Sequence, residues 1–402
     1  MLTTGESIAD IVFRLEWKSA LAAHTQVQYA KKVNFWRDCF PDKLYQDLIG
    51  KAAHAVVQRR FAPGEFLPLP DEKKIFDIAP SQFGQKTHGK QLTARRGRFY
   101  PKGILAGIPN VFSENIEPFR VLEAEETHIR VDFNHPLAGK PILVGADILK
   151  IHPTKDERGG SCTDWTEILT REAGMQAGWQ TESTDFFSNN PFERMDEKTD
   201  RLFYQLPRFV SHMDDCAKKT VMDVYGQYLK PGMGVLDLMA SWESHLPADL
   251  SFSKVTGLGL NHSELSENPV LSNHLVHDLN KRPALPFGDD TYDAVVCTAS
   301  VEYLTQPFKV FQEVCRVLKP EGVFALTFSN RWFPPKAISI WTRLHEFERM
   351  GLVTAYFLEA GGFDTIETFS SSGFPRPQTD PYYGQYVWSD PVYAVTGRKC
   401  RA

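Results

Sequence analysis

The stretch from Leu285 to Asn330, LPFGDDTYDAVVCTASVEYLTQPFKVFQEVCRVLKPEGVFALTFSN, constrains the fold of this chain most tightly. Ala294 to Thr298 (AVVCT) is short and wholly apolar, the pattern of a strand buried on both faces of a parallel sheet. From Phe308 to Leu318, the residues Phe308, Phe311, Val314, Cys315 and Leu318 recur at helical spacing. Lys309, Gln312, Glu313 and Arg316 fall on the opposite side. Lys319-Pro320-Glu321-Gly322 is expected to stop that helix, because Pro cannot continue it and Gly supplies a left-handed residue. Val323 to Phe328 (VFALTF) then returns as a second buried strand. A strand, a crossover helix and a strand in this order make one βαβ unit.

At these residues the chain resembles the class I S-adenosylmethionine-dependent methyltransferases. LPF, DDTYDAVV, SVEYL and VLKPEG follow, in order and spacing, that family's run from its fourth strand to its fifth. The resemblance implies a Rossmann-like, seven-stranded α/β domain over residues 186–402, with S-adenosyl-L-methionine as cofactor. Ala217 to Tyr228 is then a helix preceding the first strand, Gly234 to Leu238 (GVLDL). Ligands of doubly wound sheets bind at the carboxyl ends of the strands. There the family's glycines are expected at 239, 241 and 243, and this chain has Met239, Ser241 and Glu243. The cofactor carries no pyrophosphate, so the turn has only to let backbone approach it. Ala240 and Ser241 are small enough, while Trp242 either stacks on the ligand or plugs the site.

The second strand, Lys254 to Leu260, should end in an acid that grips the ribose hydroxyls. That position is Gly259, and Asn261 or Glu264 would have to substitute. An unreplaced charge-assisted hydrogen bond costs roughly 1.5–3 kcal/mol. Asp278, in His277-Asp278-Leu279-Asn280, is implied to meet the adenine amino group, and Ser300 and Glu302 to line the transfer cleft. The implied cofactor site is Tyr204, Asp237, Met239, Ala240, Ser241, Leu260, Asn261, Asp278, Leu279 and Ser300. Tyr204, Arg208, His212, Glu302, Tyr303, Asn330 and His345 are candidates for the cleft, with Arg208 suited to the cofactor's carboxylate or an acidic acceptor. None of them stands out as the catalytic base. Ala337 to Met350 reads as an amphipathic helix, Gly351 to Phe363 supplies the final helix, and Ser370 to Trp388 a loop over the site.

The front half reads differently. Ile11 to Trp17 alternates apolar and polar, Asp42 to Gly50 fits a short helix with Leu44, Leu48 and Ile49 on one face, and Ala55 to Phe61 is a strand. Lys74 to Gly103 is irregular and basic. His128 to Phe133 and Pro141 to Ile151 are two strands joined by the turn-rich residues 134–140, so an antiparallel α+β arrangement is expected. VDFNHPLAGKPI, Val131 to Ile142, resembles the SlyD-like branch of the FKBP-type peptidyl-prolyl isomerases. That resemblance implies a domain over 1–153, an antiparallel sheet wrapped on a short helix with a flap at about 67–98. It also implies isomerase or chaperone activity on a protein partner. Trp17, Tyr29, Phe35, Trp36 and Phe40 either line a proline pocket or are core, and His135 is a turn residue satisfying backbone groups. Residues 154–185, rich in Gly and charge, read as the interdomain linker.

Composition narrows the function classes. The 402 residues are 42% hydrophobic and 24% charged, enough for two globular domains. A net charge of −5 argues against a generic nucleic-acid or anionic-membrane surface, and Lys86 to Arg98 is read as a solvated basic loop. Cysteines 39, 162, 216, 297, 315 and 400 show no CxxC and no paired spacing, so a reduced, cytoplasmic chain without structural zinc or another metal is expected. No basic-plus-apolar leader is expected, and no apolar run reaches the roughly 20 residues that span a bilayer. The main functional reading is methyl transfer by the back half, coupled to an FKBP-like module that binds a protein partner. Its alternative is a prolyl isomerase or chaperone with an inactive methyltransferase-like domain. A third takes the front half as a substrate-binding accessory of a small-molecule methyltransferase.

Overall fold

The computed structural model describes residues 1–84, 92–153 and 159–401. The chain forms two compact units, Met1–Ser188 and Asn189–Ala402.

The first unit contains strands β1 (Ile8–Lys18) and β2 (Ala22–Asn34), helix α1 (Asp42–Leu48), strands β3 (Val56–Phe61), β4 (Ile75–Ile78), β5 (Phe99–Pro101), β6 (Pro118–Ala124), β7 (Ile129–Asp132) and β8 (Ile142–His152), and helix α2 (Trp165–Thr170). The alternation of β1 puts Ile11, Phe13, Leu15 and Trp17 inside. β2, β1, β8 and β3 pair in that order, all antiparallel. α1 sends Leu44 and Leu48 into the same core. Trp17 and Phe35 are core residues as well, with Phe40 packed against them.

A second antiparallel sheet, β4-β7-β6-β5, has its own core of Ile78, Phe83, Tyr100, Phe119, Val121 and Val131. It corrects three expectations. The stretch 74–103 is not irregular throughout, for β4 and β5 lie within it. The inserted element is not confined to 67–98 but builds a sheet that extends to Asp132. Residues 134–140 do join two strands, but not within a single antiparallel sheet; they carry the chain from β7 in one sheet to β8 in the other. Asn134 holds that passage, accepting from Asp71 N at 2.9 Å and donating to Asp71 O at 3.0 Å. Strands as short as IFDI and FYP, flanked by Pro and Gly, leave no readable period.

The expected linker is also corrected. Among its described residues, Trp165, Leu169, Ala173 and Ala177 belong to the core of the first unit. Asp164 caps α2 by accepting from Glu167 N at 3.1 Å, and buried Gln26 donates to Leu169 O at 3.1 Å. His135 reaches the same arm: its Nδ1 accepts from Leu137 N, and its Nε2 donates to Thr170 O at 3.1 Å. Burial pushes that imidazole down to about 4. Part of the basic cluster, 85–91, lies outside the described residues. Of the rest, Arg98 is buried rather than solvated, and Arg95 and Arg96 pair with Asp185 and Glu182.

The second unit contains helices α3 (Asp200–Phe203) and α4 (Asp215–Gly226), strands β9 (Gly234–Leu238) and β10 (Lys254–Gly259), helix α5 (His262–Glu267), strands β11 (Asn273–Val276) and β12 (Tyr292–Thr298), helix α6 (Pro307–Val317), strand β13 (Leu318–Phe328), helix α7 (Glu346–Ala360), and strands β14 (Phe363–Ser372) and β15 (Val392–Lys399). Within this unit the strands run β11-β10-β9-β12-β13-β15-β14, parallel up to β13, with β15 antiparallel to both neighbours. Seven strands in a mostly parallel α/β sheet is the expected arrangement. α4 covers one face through Ala217, Val221 and Tyr225. α6 and α7 pack elsewhere on the sheet, where Phe311 stands 5.0 Å from both Phe324 and Phe357. β9 and β12 lie side by side although the chain reaches β10 and β11 between them, which opens a crevice at their carboxyl ends.

Two local expectations change. At the end of α6 the left-handed residue is Glu321 (φ 64°), not Gly322. Gly322 is needed for another reason, since a Cβ there would lie 2.8 Å from Lys319 O. The helix expected from Ala337 starts only at Glu346, where His345 caps it by accepting from Phe347 N at 3.3 Å. Among the described residues no helix is long and apolar enough to cross a membrane.

If residues 165–177 are core rather than linker, Leu169→Ala, at a site 1% exposed, should destabilise the first unit by about 3 kcal/mol. Urea unfolding followed by a probe in that unit measures this; a change within about 0.5 kcal/mol would mark a linker after all.

Candidate active site

The segments that follow β9, β10, β11 and β12 converge on one cavity with about 1180 Å³ of atom-free space, its mouth included. Its wall contains all ten residues expected from the sequence: Tyr204, Asp237, Met239, Ala240, Ser241, Leu260, Asn261, Asp278, Leu279 and Ser300. Segment 200–213 and Phe333 complete the lining.

The turn after β9 works without glycine because Met239 itself takes the left-handed conformation (φ 58°), at a cost of about 1–2 kcal/mol. Ala299, after β12, does the same (φ 47°). Such strain persists only where surrounding structure fixes it, and here it lies at two neighbouring strand ends on the cavity wall. Ala240 N donates to Leu258 O at 2.9 Å, stitching the turn to β10. A Cβ on Gly259 would stand 2.1 Å from Ala240 O. Any acid at position 259 is therefore excluded by the turn's own backbone.

Of the two substitutes, Asn261 is committed elsewhere. Its Oδ1 caps α5 through Ser263 N and Glu264 N (3.0 and 3.2 Å), and its amide donates to Tyr204 O at 2.9 Å. Glu264 is the carboxylate on this side of the cavity, accepting from Arg208 N and Ser241 Oγ, both at 2.7 Å. Asp278 uses Oδ1 to accept from Asn280 N and Lys281 N. Trp242 donates to Val210 O at 3.4 Å and stands edge-on to Phe209, so it forms wall and leaves the cavity open.

Asp237 is the unusual member. It is buried, and Oδ2 has no hydrogen-bond partner. Burial pushes its carboxyl up to about 7, with Ser244 opposing the shift through a hydrogen bond. Asp200, also on the wall, is by contrast fully engaged: it accepts from Arg194 at 2.8 and 3.0 Å and from Asn280 at 2.8 Å, with Lys336 at 3.2 Å.

The roof is aromatic. The Arg208 guanidinium lies 4.5 Å from the Phe203 ring centre and 4.9 Å from that of Phe333, and donates to Phe203 O at 3.1 Å. Tyr303 accepts from Phe333 N at 2.9 Å. Burial, then the Arg208 charge, lowers the His212 imidazole, which meets Phe333 edge-on at 5.3 Å. Four of the cleft candidates, Tyr204, Arg208, His212 and Tyr303, thus share the cavity.

The other three do not line it. Glu302 is buried 1% exposed, with one carboxylate oxygen unpartnered and its carboxyl pushed by burial up to about 7. Asn330 faces a separate hollow with Arg331, Trp332 and Thr342, and His345 is a helix cap. Of the expected covering loop, Ser370 to Ser372 finish β14, and none of 370–388 lines the cavity. The sequence reading missed Asp200, Val210, Asn280 and Phe333. Val210, Asn280 and Phe333 sit in irregular segments and Asp200 opens the four-residue α3, and the Asp200–Asn280 contact across 80 positions brings those two together.

Of the five carboxyl groups on the wall, Asp200 is neutralised by Arg194 and Lys336, Glu243 pairs with Lys218 and burial raises Asp237 to about 7, so Glu264 and Asp278 are the two left to face Arg208. The wall thus combines acidic and aromatic groups.

Residues 240–326 match the protein family described as "Methyltransferase domain". The matched segment lies within the second unit and runs from the turn after β9 into β13, and the cofactor it indicates is S-adenosylmethionine. The chain is also similar to cycloartenol-C-24-methyltransferase 1 of Oryza sativa subsp. japonica, 31% identical over 109 residues. That match covers 24% of this chain, and the chain spans 31% of the relative's length. Among solved structures it is similar to a methyltransferase in complex with its Trm112 activator from Haloferax volcanii (18% identity, 46% of this chain and 89% of that one, TM-score 0.34). A methyltransferase from Aquifex aeolicus gives 18% identity over 47% of this chain and 91% of that one, with a TM-score of 0.31.

The residues present fit that cofactor. The unpartnered oxygen of Asp237 offers a buried acceptor to an ammonium, the surrounding carboxylates suit a sulfonium, and the aromatic roof suits its flat and soft parts.

Because the folded-state value of Asp237 is raised from 3.8 to about 7, the folded protein retains a proton that the unfolded chain gives up. The associated stability is present below about pH 4 and is lost as pH rises towards 7. Asp237→Asn should therefore gain on the order of 2–4 kcal/mol over the parent at pH 8 and little at pH 4. Chemical denaturation at the two pH values checks it; an equal effect at both would mean Asp237 is not held protonated.

Proposed function

We propose that the second unit carries out S-adenosylmethionine-dependent methyl transfer, and that the first unit is an FKBP-like prolyl isomerase or chaperone module that binds a protein partner. The observation that carries the first part is Asp237, a buried carboxylate with an unused oxygen on the wall of an acidic, aromatic cavity at the sheet's switch point.

When bound, the cofactor supplies an electrophilic methyl group. Asp237 and Glu264 would accept from its ammonium and ribose groups, and Asp278 from the adenine amine. Tyr204, Phe333 and Trp242 exclude water and hold the flat parts in place. His212, lowered by burial and by Arg208, is neutral near pH 7 and so able to take a proton from an acceptor on the same wall.

The reading of a silent methyltransferase-like domain rested on the altered turn and on Gly259. Met239 takes the conformation glycine would have taken, Trp242 stays on the wall, and Glu264 brings a carboxylate where Gly259 has none. These features favour the active reading.

For the first unit, support comes from the Val131 to Ile142 resemblance and from a four-stranded antiparallel sheet packed on α1. Rotation about an X-Pro bond has a barrier of about 18–20 kcal/mol, which a dry apolar pocket lowers by favouring the twisted amide.

Calorimetry of the full-length chain with S-adenosylmethionine at pH 6.5, in buffers of different ionisation enthalpy, tests the transferase reading. Binding is expected to release a proton, because a cation beside Asp237 favours its ionised form, and Asp237→Asn should lose that release. No heat at roughly 1 mM ligand would remove the reading. The module reading predicts that the full-length chain accelerates a proline-limited refolding reaction several-fold; an unchanged rate would leave the first unit without isomerase activity.

A further inference from the structure

The sequence scatters its thiols without paired spacing, yet the first unit brings two of them together. Cys39 Sγ stands 3.3 Å from Cys162 Sγ, across 123 positions of chain, and both side chains are exposed. The sulfurs do not make this approach themselves; the main chain does. Cys39 N donates to Thr163 O at 2.8 Å, Trp165 N donates to Cys39 O at 3.0 Å, and Cys39 and Asp164 form a parallel bridge.

Neighbouring side chains brace the same junction. Asp38 accepts from Thr163 N at 3.3 Å and from Trp165 Nε1 at 3.0 Å, while Arg37 donates to Gly159 O at 2.9 Å. Trp165 is itself buried, its ring 5.7 Å from that of Phe13. The two thiols are thus presented by a frame anchored in the core. Closing from 3.3 Å to the roughly 2.05 Å of a disulfide asks for little more than side-chain rotation.

We infer that Cys39 and Cys162 are a redox-responsive pair, a site of reversible intrachain oxidation by a small disulfide of the glutathione class. The thiolate of one cysteine attacks oxidised glutathione, forming a mixed disulfide and expelling one glutathione thiolate. The thiolate of the other then attacks the protein sulfur of that mixed disulfide and expels the second. Two protein thiols are oxidised to one disulfide, one glutathione disulfide is reduced to two thiols, and the two protons leave with them. The hydrogen bond between the two thiols, then their mutual repulsion and the charges of Asp164 and Asp38, push the Cys39 thiol up. Cys39 is therefore a slow responder at neutral pH rather than a hyper-reactive thiol.

Oxidation would staple the segment leading into α2 to the turn that follows β2. Of the other thiols, Cys297 is buried and Cys216, Cys315 and Cys400 are partly covered, so exchange should select the exposed pair.

The test uses the full-length chain equilibrated with mixtures of oxidised and reduced glutathione, acid-quenched, digested without reductant and mapped by mass spectrometry. One cross-linked species is expected, joining the Cys39 and Cys162 peptides with the loss of two hydrogens, reversed by reductant and absent in Cys39→Ser and Cys162→Ser. Because the closed loop is long, the oxidised protein should melt roughly 5–10 °C above the reduced one, a difference that Cys39→Ser abolishes. Glutathione adducts without a cross-link, a cross-link to any other cysteine, no reaction, or a bridge that leaves the melting temperature unchanged would each overturn the inference.

Discussion

The cavity of the second unit depends on one close approach. The carbonyl of Ala240, in the turn after β9, occupies the space where a side chain at position 259 would begin. That contact, with the Ala240 N to Leu258 O hydrogen bond, lays the turn across the end of β10 and fixes the wall that Ser241 and Trp242 share. Accepting this geometry removes the acid a related chain would carry on β10. Glu264, in the first turn of α5, supplies a carboxylate instead and accepts from Ser241 Oγ of the turn after β9. The glycine-poor turn, the missing acid and the shifted carboxylate are consequences of one backbone arrangement.

Carboxylates in this unit fall into two kinds. Asp200 is held by Arg194, Lys336 and Asn280, and Asp214 by Ser389, Arg376 and the backbone at the start of α4. Buried charges with full sets of partners are structural, and breaking such a set is costly. Asp237 has one oxygen with no partner and is deeply buried. A group left so at a sheet's switch point is where stability has been given up for binding.

What the sequence made legible follows from periodicity and from length. The run 285–330 was readable because it is regular: an apolar strand, an 11-residue amphipathic helix and a second apolar strand are each long enough to carry a period. Most of the expected cavity wall was readable because it follows the ends of β9, β10, β11 and β12. Phe333, Val210 and Asp200 were not, since they lie in segments with no period and reach the cavity only through tertiary contacts. In the first unit, β4 and β5 have four and three residues, too few to alternate visibly. Residues 165–177 looked like a connection because Gly and charge dominate their neighbourhood, while the burial of Trp165 and Leu169 rests on contacts far away in sequence, such as Gln26 with Leu169. The Cys39–Cys162 approach was equally hidden, because thiols 123 positions apart carry no spacing signal.

The central claim is that the turn at 239–242, without its customary glycines, still leaves room for an adenosyl ligand against Asp237, Glu264 and Asp278. A crystal structure of the full-length chain with S-adenosylhomocysteine tests it most directly. The expected result is the ligand lying along the ends of β9, β10 and β11, with its amino group within hydrogen-bond distance of Asp237 and Trp242 still bonded to Val210. A structure in which Trp242 has swung inward to fill the cavity, or in which the ligand binds elsewhere, would contradict the account.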